Sequence, residues 1–287
     1  MLRNVKHYHR PGTIEDAVSL VQSTPNAVYL AGGAWIVAKG DPTLEAVIDL
    51  QDLGIGAIEA TLEEIRIGAM ASLQAVIDHP DIAVMAGGLL SRATGYVQSR
   101  NLREQGTVGG ALITAGPADP LTTALLVLDV EVSYADPVIH KAPFMSFVAY
   151  RDRLINTRVL LTELRIKRSP ARTAAAFEVL GRSPRDKPIV CAAAYVEAIE
   201  GLPTTLRVAV GGAHPQPARL HKAEHVLRGQ LLTTDRITAA LGPALAELEP
   251  PSDYLGSAEY RIAMAEVLAR RATIAAWDAA RKGLPGQ

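Results

Sequence analysis

Of the 287 residues only one, Cys191, is a cysteine. A single thiol closes no disulfide and ligates no iron–sulfur cluster, so any cluster in the working system is expected on another chain. Aromatic residues are scarce at 5%, which gives no repeated stacking platform for single strands. An excess of either charge is missing too: 29 basic against 30 acidic residues leave a formal net charge of -1. That balance lacks the basic footprint a phosphate backbone demands, so no nucleic-acid partner is expected. No stretch reaches the roughly 18 uninterrupted apolar residues of a membrane span, and the opening "MLRNVKHYHRPG" is polar. A cytoplasmic location without a membrane span is the expectation.

Several nucleotide and hydrolase signatures are also absent. The dinucleotide pattern G-x-G-x-x-G fails at "GIGAIE", where Glu59 takes the place of a third glycine. Neither G-x-x-x-x-G-K-[ST] nor G-x-S-x-G occurs, which removes P-loop and serine-hydrolase readings.

What is present is length and apolar content enough for two cores. "GTIEDAVSLVQ" (12–22) predicts a helix capped by Thr13, with Asp16 at its third position. "AVYLAGG" and "AVIDL" predict buried strands, and "EEIRIGAMASLQAVI" a strand passing into a helix. The segment 121–135 drifts from helical to strand pattern, and "TRVLLTELRIKR" closes the first unit. The polar stretch "KRSPARTAA" (167–175) marks a boundary. Beyond it, "AAAFEVLG", "PIVCAAAYVEAI" and "TTLRVAVGGA" predict consecutive strands, followed by helices at 222–232, 234–248 and 257–282. Strands followed by helices are the pattern of an antiparallel sheet with helices on one face. The fold class expected is therefore α+β, with Cys191 as a small core residue.

Two glycine-rich turns stand out. Ala31-Gly32-Gly33-Ala34 follows an apolar approach, and Thr107-Val108-Gly109-Gly110 joins β-branched residues to a glycine pair and a short apolar run. Exposed backbone amides at such turns bind anions, and glycine lets the chain come close to a phosphate. Together the two loops could clasp a diphosphate; taken singly, each is an ordinary tight turn. A third candidate is "HKAEH" (221–225), which matches H-x-x-E-H and would put His221, Glu224 and His225 in the arrangement of an inverted zinc peptidase. The competing reading is a polar first turn of a surface helix.

With these segments placed, the chain resembles the FAD-binding (medium) subunit of molybdenum hydroxylases, the family of aerobic carbon monoxide dehydrogenase and xanthine dehydrogenase. The likeness runs through "YHRPGTIEDAVSLV", "LAGGAWIVAKG", "IRIGAMASL", "LREQGTVGGALITAGPADP", "VAVGGAHPQPARL" and "PPSDYLGSAEYRIAMAEVLARRA". It implies a two-part FAD-binding domain of the PCMH type over 1–170, divided near 55–60, and a smaller α+β domain over 171–287. It also implies that the flavin diphosphate is wrapped by Ala31, Gly32, Gly33, Ala34 and Trp35 in one loop and by Thr107, Val108, Gly109, Gly110 and Ala111 in the other. Thr107 would offer a hydroxyl, Asp119 would accept from a flavin or ribose hydroxyl, and Lys187 would lie near the isoalloxazine.

The same resemblance implies an electron-transfer subunit. Electrons would come from a small iron–sulfur subunit, fed by a large molybdopterin subunit, and leave to an external acceptor; a dimer of heterotrimers would be the assembly. "SAEYRIAMAEVLARRATIAAWDAARKG" would serve either as a docking face or as packing within the chain. Five positions depart from the family pattern: Ala34-Trp35 replaces a hydrophilic pair, Glu104 an Asn, Ala111 an Asn or Ser, and Lys187 a tyrosine. All spare the main-chain amides. They leave open a second reading, a flavin-fold scaffold with weak or no FAD.

Overall fold

The computed structural model describes residues 4–97, 99–170, 172–183 and 186–282. Its contacts gather into two compact units, one made of Met1–His79, Val97–Thr114 and Val130–Lys167, the other of Pro80–Tyr96, Ala115–Asp129 and Arg168–Gln287.

The first unit begins with β1 (His7–His9), α1 (Ile14–Ser23), β2 (Ala27–Leu30), α2 (Ala34–Lys39) and β3 (Ala46–Asp49). Thr13 caps α1 as its sequence predicts: its Oγ1 accepts the Asp16 N–H at 3.1 Å. Ala17, Val18 and Val21 then share a buried stripe. They pack on a parallel sheet of order β1-β3-β2, in which every residue of the central β3 is buried. Parallel neighbours need a crossover. The β2–β3 crossover is the first glycine loop plus α2, so the loop leaves the C-terminal end of a strand, the usual place for a ligand in such sheets.

Next along the chain come β4 (Ile58–Ala60), β5 (Glu64–Gly68) and α3 (Leu73–Asp78), then α4 (Pro80–Val84) and α5 (Leu89–Thr94) of the second unit. α6 (Arg100–Gln105) and α7 (Val108–Ile113) return to the first unit, and α8 (Pro120–Leu128) goes again to the second. The first unit is completed by β6 (Glu131–Asp136), β7 (Val138–Pro143), α9 (Phe144–Asn156) and β8 (Leu160–Lys167). Its second sheet is antiparallel, of order β4-β5-β8-β6-β7.

The second unit carries β9 (Thr173–Leu180), β10 (Val190–Ile199), β11 (Leu202–Gly211) and β12 (Ala218–Arg219), antiparallel in the order β12-β11-β10-β9. α10 (His221–Leu227), α11 (Thr234–Leu245) and α12 (Ala258–Arg281) follow. Ala192, Ala194, Val196 and Ala198 alternate along β10 and pack with Ala265, Leu268, Ala269, Ala272 and Ala276 of α12. The apolar stripe of α12 is thus spent on its own sheet. α8, however, covers the opposite face: Thr123 Oγ1 lies 3.3 Å from Cys191 Sγ. With β10 buried on both sides, its sequence reads as a continuous apolar run and not as an alternation. α10 is shorter than its sequence predicts: the chain leaves the helix at Arg228, whose backbone is extended, and Gly229 follows at φ +71°.

Arg261 ties the end of this sheet together. The side chain is buried; its Nη1 donates to the carbonyls of Ile189 (2.7 Å) and Gly212 (3.2 Å), and its Nη2 to Asp253 (2.7 Å). That hydrogen bond holds the Asp253 carboxyl below its ordinary value. Its stabilising effect is therefore complete at neutral pH and is lost as pH falls below the ordinary carboxylate range.

Two outcomes follow from this unit. Arg261→Met strands two buried carbonyls and an acid, and should lower stability by about 3 kcal/mol, read as a lowered urea midpoint; an unchanged midpoint would contradict the tie. Burial pushes the Cys191 thiol up to about 12. The native protein should resist a thiol-labelling reagent at pH 8 and react fully in denaturant, whereas labelling of the folded chain would place Cys191 elsewhere.

Candidate functional site

The first glycine loop lies between β2 and α2. Gly33 is the N-cap of α2 with φ +74°, a left-handed conformation that disfavours any side chain. It offers no capping oxygen. The first-turn N–H groups of Ala34, Trp35 and Ile36 thus have no acceptor within the helix. Trp35 stands half exposed at 51%, with the Lys39 ammonium 4.8 Å from its ring centre.

The second glycine loop is held differently. The chain at 69–73 runs antiparallel to that at 106–109: Leu73 N donates to Gly106 O, Val108 N to Ala71 O, both at 2.9 Å, and Gly109 N to Ala69 O at 2.8 Å. Thr107 caps α7, and its Oγ1 accepts the Gly110 N–H at 3.1 Å. Ala111 N donates to Thr107 O at 2.9 Å. The amides of 108–111 are thus already engaged within the fold. A Cβ at Gly109 would press on Ala69 at 3.0–3.1 Å, and one at Gly110 would meet Thr107 Oγ1 at 3.0 Å.

The two loops meet. A Cβ on Gly32 would stand 1.4 Å from the Gln105 carbonyl oxygen and 2.6 Å from its carbon, so main chain lies directly on main chain. Gly32 is required there by contact, Gly33 by conformation. Among the residues the sequence singles out, this brings together Ala31 to Trp35 and the segment carrying Thr107 to Ala111.

Two other predicted positions lie in the second unit. Asp119 is the N-cap of α8, where its Oδ1 accepts from Thr122 N at 2.8 Å and Thr122 Oγ1 at 2.7 Å. Lys187 is exposed in the turn between β9 and β10. Glu104 is exposed and pairs with Arg100 at 2.9 Å.

The H-x-x-E-H segment serves the fold. Glu224 is only 3% exposed; its oxygens take Arg219 Nε (2.9 Å), Arg219 Nη2 (2.6 Å) and the Val208 N–H (2.9 Å). Its carboxylate is engaged on all sides by the fold's own donors and is not a free base. Among the described residues no set of three His, Cys, Asp or Glu side chains is gathered to hold a metal ion. No helix among them is long and apolar enough to cross a membrane.

Sequence reasoning placed the weight of the second loop on Gly109 and Gly110 and missed Gln105 and Arg103. The Gly32–Gln105 contact joins main chains far apart in sequence, and no side chain announces it.

Comparison with known proteins identifies the family. Residues 3–166 match the family described as the FAD binding domain in molybdopterin dehydrogenase, and 175–276 that described as the CO dehydrogenase flavoprotein C-terminal domain. The chain is 28% identical over 277 residues to the carbon monoxide dehydrogenase medium chain of Afipia carboxidovorans, covering 92% of this chain and 94% of that one. It is 27% identical over 283 residues to the nicotine 6-hydroxylase medium subunit of Paenarthrobacter nicotinovorans, covering 94% and 96%. A solved carbon monoxide dehydrogenase from Hydrogenophaga pseudoflava superposes with a TM-score of 0.89 at 26% identity, over 97% of this chain and 99% of that one. With the glycine loops in contact and both domain models matched in order, the chain belongs to the family of FAD-binding subunits of molybdopterin dehydrogenases, with a CO dehydrogenase-type flavoprotein C-terminal domain.

Proposed function

We propose that the chain is the electron-transfer subunit of a molybdenum hydroxylase complex, taking electrons from an iron–sulfur subunit and passing them to an external acceptor. The observation that carries this reading is the contact of the two glycine loops beside uncapped amides. The residues fit a flavin diphosphate in an uneven way. Ala34, Trp35 and Ile36 supply open N–H groups, which can hold a phosphate without side-chain donors. Gly109 and Gly110 add no open donor, because their own N–H groups are engaged; their lack of Cβ atoms lets the loop pack on Ala69 and Thr107. The Thr107 hydroxyl, whose oxygen accepts from Gly110, keeps its proton for a ligand oxygen. When bound, FAD supplies the centre that receives electrons and hands them on.

The loss of the hydrophilic pair at Ala34-Trp35 falls on side chains only, so it lowers the number of donors without closing the cradle. Asp119, the N-cap of α8, as acceptor for a flavin or ribose hydroxyl, and Lys187 near the isoalloxazine, belong to this proposal as well. The flavin domain would run to about residue 170, with the C-terminal domain from 171. Partner subunits are required by the chemistry of this chain: Cys191, its one thiol, is buried. A donor carrying clusters must dock from outside, as the multi-subunit names of the relatives suggest. The expected assembly joins this chain to a small iron–sulfur and a large molybdopterin subunit, as a dimer of heterotrimers.

The test is an absorption spectrum of the complex purified with the products of neighbouring coding regions. Flavin bands at about one FAD per chain are expected; a flavin-free complex that is otherwise intact would assign the chain to a scaffold. Gly32→Ala drives a Cβ into the Gln105 carbonyl and should lower FAD affinity at least tenfold, on the order of one lost charged hydrogen bond. Gly33→Ala adds only left-handed strain, about 1 kcal/mol. Equal FAD affinity in Gly32→Ala and the native chain, by fluorescence titration, would show that the loop contact is not part of the flavin site.

A further inference from the structure

The Gln105 carbonyl that meets Gly32 is the last residue of α6, and α6 has no buried residue at all. Hydrophobic packing therefore does not place it. Leu102 is half exposed, and the Arg100–Glu104 pair lies in solvent, where such a pair contributes little. Ser99 caps the first turn at 3.4 Å, a weak hydrogen bond.

What anchors the helix is Arg103. Its Nε donates to Gln74 Oε1 on α3 at 2.8 Å, and its Nη1 to the Val97 carbonyl at 2.7 Å. Gln74 is oriented in turn, because its Nε2 donates to Asp78 Oδ1 at 2.8 Å on the next turn of α3. A planar guanidinium can span two acceptors in fixed directions, which an ammonium cannot. α3 is itself joined to the second loop through Leu73 N and Gly106 O. The fork thus ties α6 at one end and the loop main chain ties it at the other.

We propose that Arg103 is a positioning residue for the flavin site: by fastening α6 to α3 it keeps the Gln105 carbonyl against Gly32 and so holds the two glycine loops at the separation that receives the diphosphate. This rests on the flavin reading above. Arg103 touches no ligand in this scheme; it acts through the position of Gln105.

The experiment is FAD titration of the full-length chain, followed by flavin fluorescence and by the visible circular dichroism of the bound flavin, with the unfolding midpoint of the FAD-free protein measured alongside. Arg103→Met should weaken FAD binding about tenfold or more, because both charge-assisted hydrogen bonds go. It should change the dichroism of whatever flavin still binds, while the midpoint moves little, since no core residue is touched. Arg103→Lys reaches one acceptor and should fall between. Gln74→Leu should weaken binding in part, and the double variant should be no weaker than Arg103→Met, because both remove one tie. Should Arg103→Met fail to fold, Arg103→Lys and Gln74→Leu carry the same comparison. Wild-type affinity in Arg103→Met, or strict additivity of the two substitutions, would overturn the inference while leaving the flavin reading intact. A native chain that takes up no FAD would overturn both.

Discussion

The first unit turns on a place where two backbones touch. At Gly32 even one carbon beyond the main chain would collide with the Gln105 carbonyl, so the loop after β2 and the loop before α7 are fixed to each other by exclusion. Because that contact contains no side chain from Gly32, it has no rotamers to lose on ordering. The cost falls on glycine's backbone freedom instead. Around this point the two loops divide the work: one is closed on itself by hydrogen bonds to Ala69 and Ala71, the other keeps its amides open at the start of α2. On the flavin reading proposed above, the open amides at the start of α2 would receive the anion, while the hydrogen-bonded loop is already ordered in folding, before any ligand arrives.

The second unit is organised by a different economy. Small residues dominate: alternate alanines of β10 meet alanines of α12, which lets helix and sheet approach closely. Charged groups are buried only where they are fully partnered. Arg261 gathers the carbonyls of Ile189 and Gly212 with Asp253, and Glu224 is enclosed by Arg219 and the Val208 amide. Removing one partner from such a group leaves the other desolvated, which is why these positions matter more to stability than exposed pairs such as Arg100–Glu104.

Much of this was legible in the sequence, for identifiable reasons. Thr13 and Asp16 announced α1 through capping chemistry, and the strands at 176–212 announced themselves by apolar runs between turns. The glycine pairs were visible as pairs. What each glycine does was not. Gly110 reads as an amide donor to a ligand, yet its N–H belongs to Thr107, whose capping role follows from its place before a short helix. H-x-x-E-H has metal-site spacing, but the deciding neighbour of Glu224 is Arg219, on a strand whose pairing no local pattern reveals. α8 reads as part of the first unit by order along the chain; the Thr123–Cys191 contact places it against the sheet of the second. Contacts set by distant main chain, as between Gly32 and Gln105, leave only a glycine as their trace.

Amide hydrogen exchange of the full chain, with and without FAD, tests the uneven division of labour between the loops most directly. Without FAD, the N–H groups of Gly109 and Gly110 should already exchange slowly and those of Ala34, Trp35 and Ile36 fast, since only the former are hydrogen-bonded. Addition of FAD should slow exchange at Ala34 to Ile36 and leave Gly109 and Gly110 nearly unchanged. Protection gained at Gly109 and Gly110 while Ala34 to Ile36 stay fast would contradict the account.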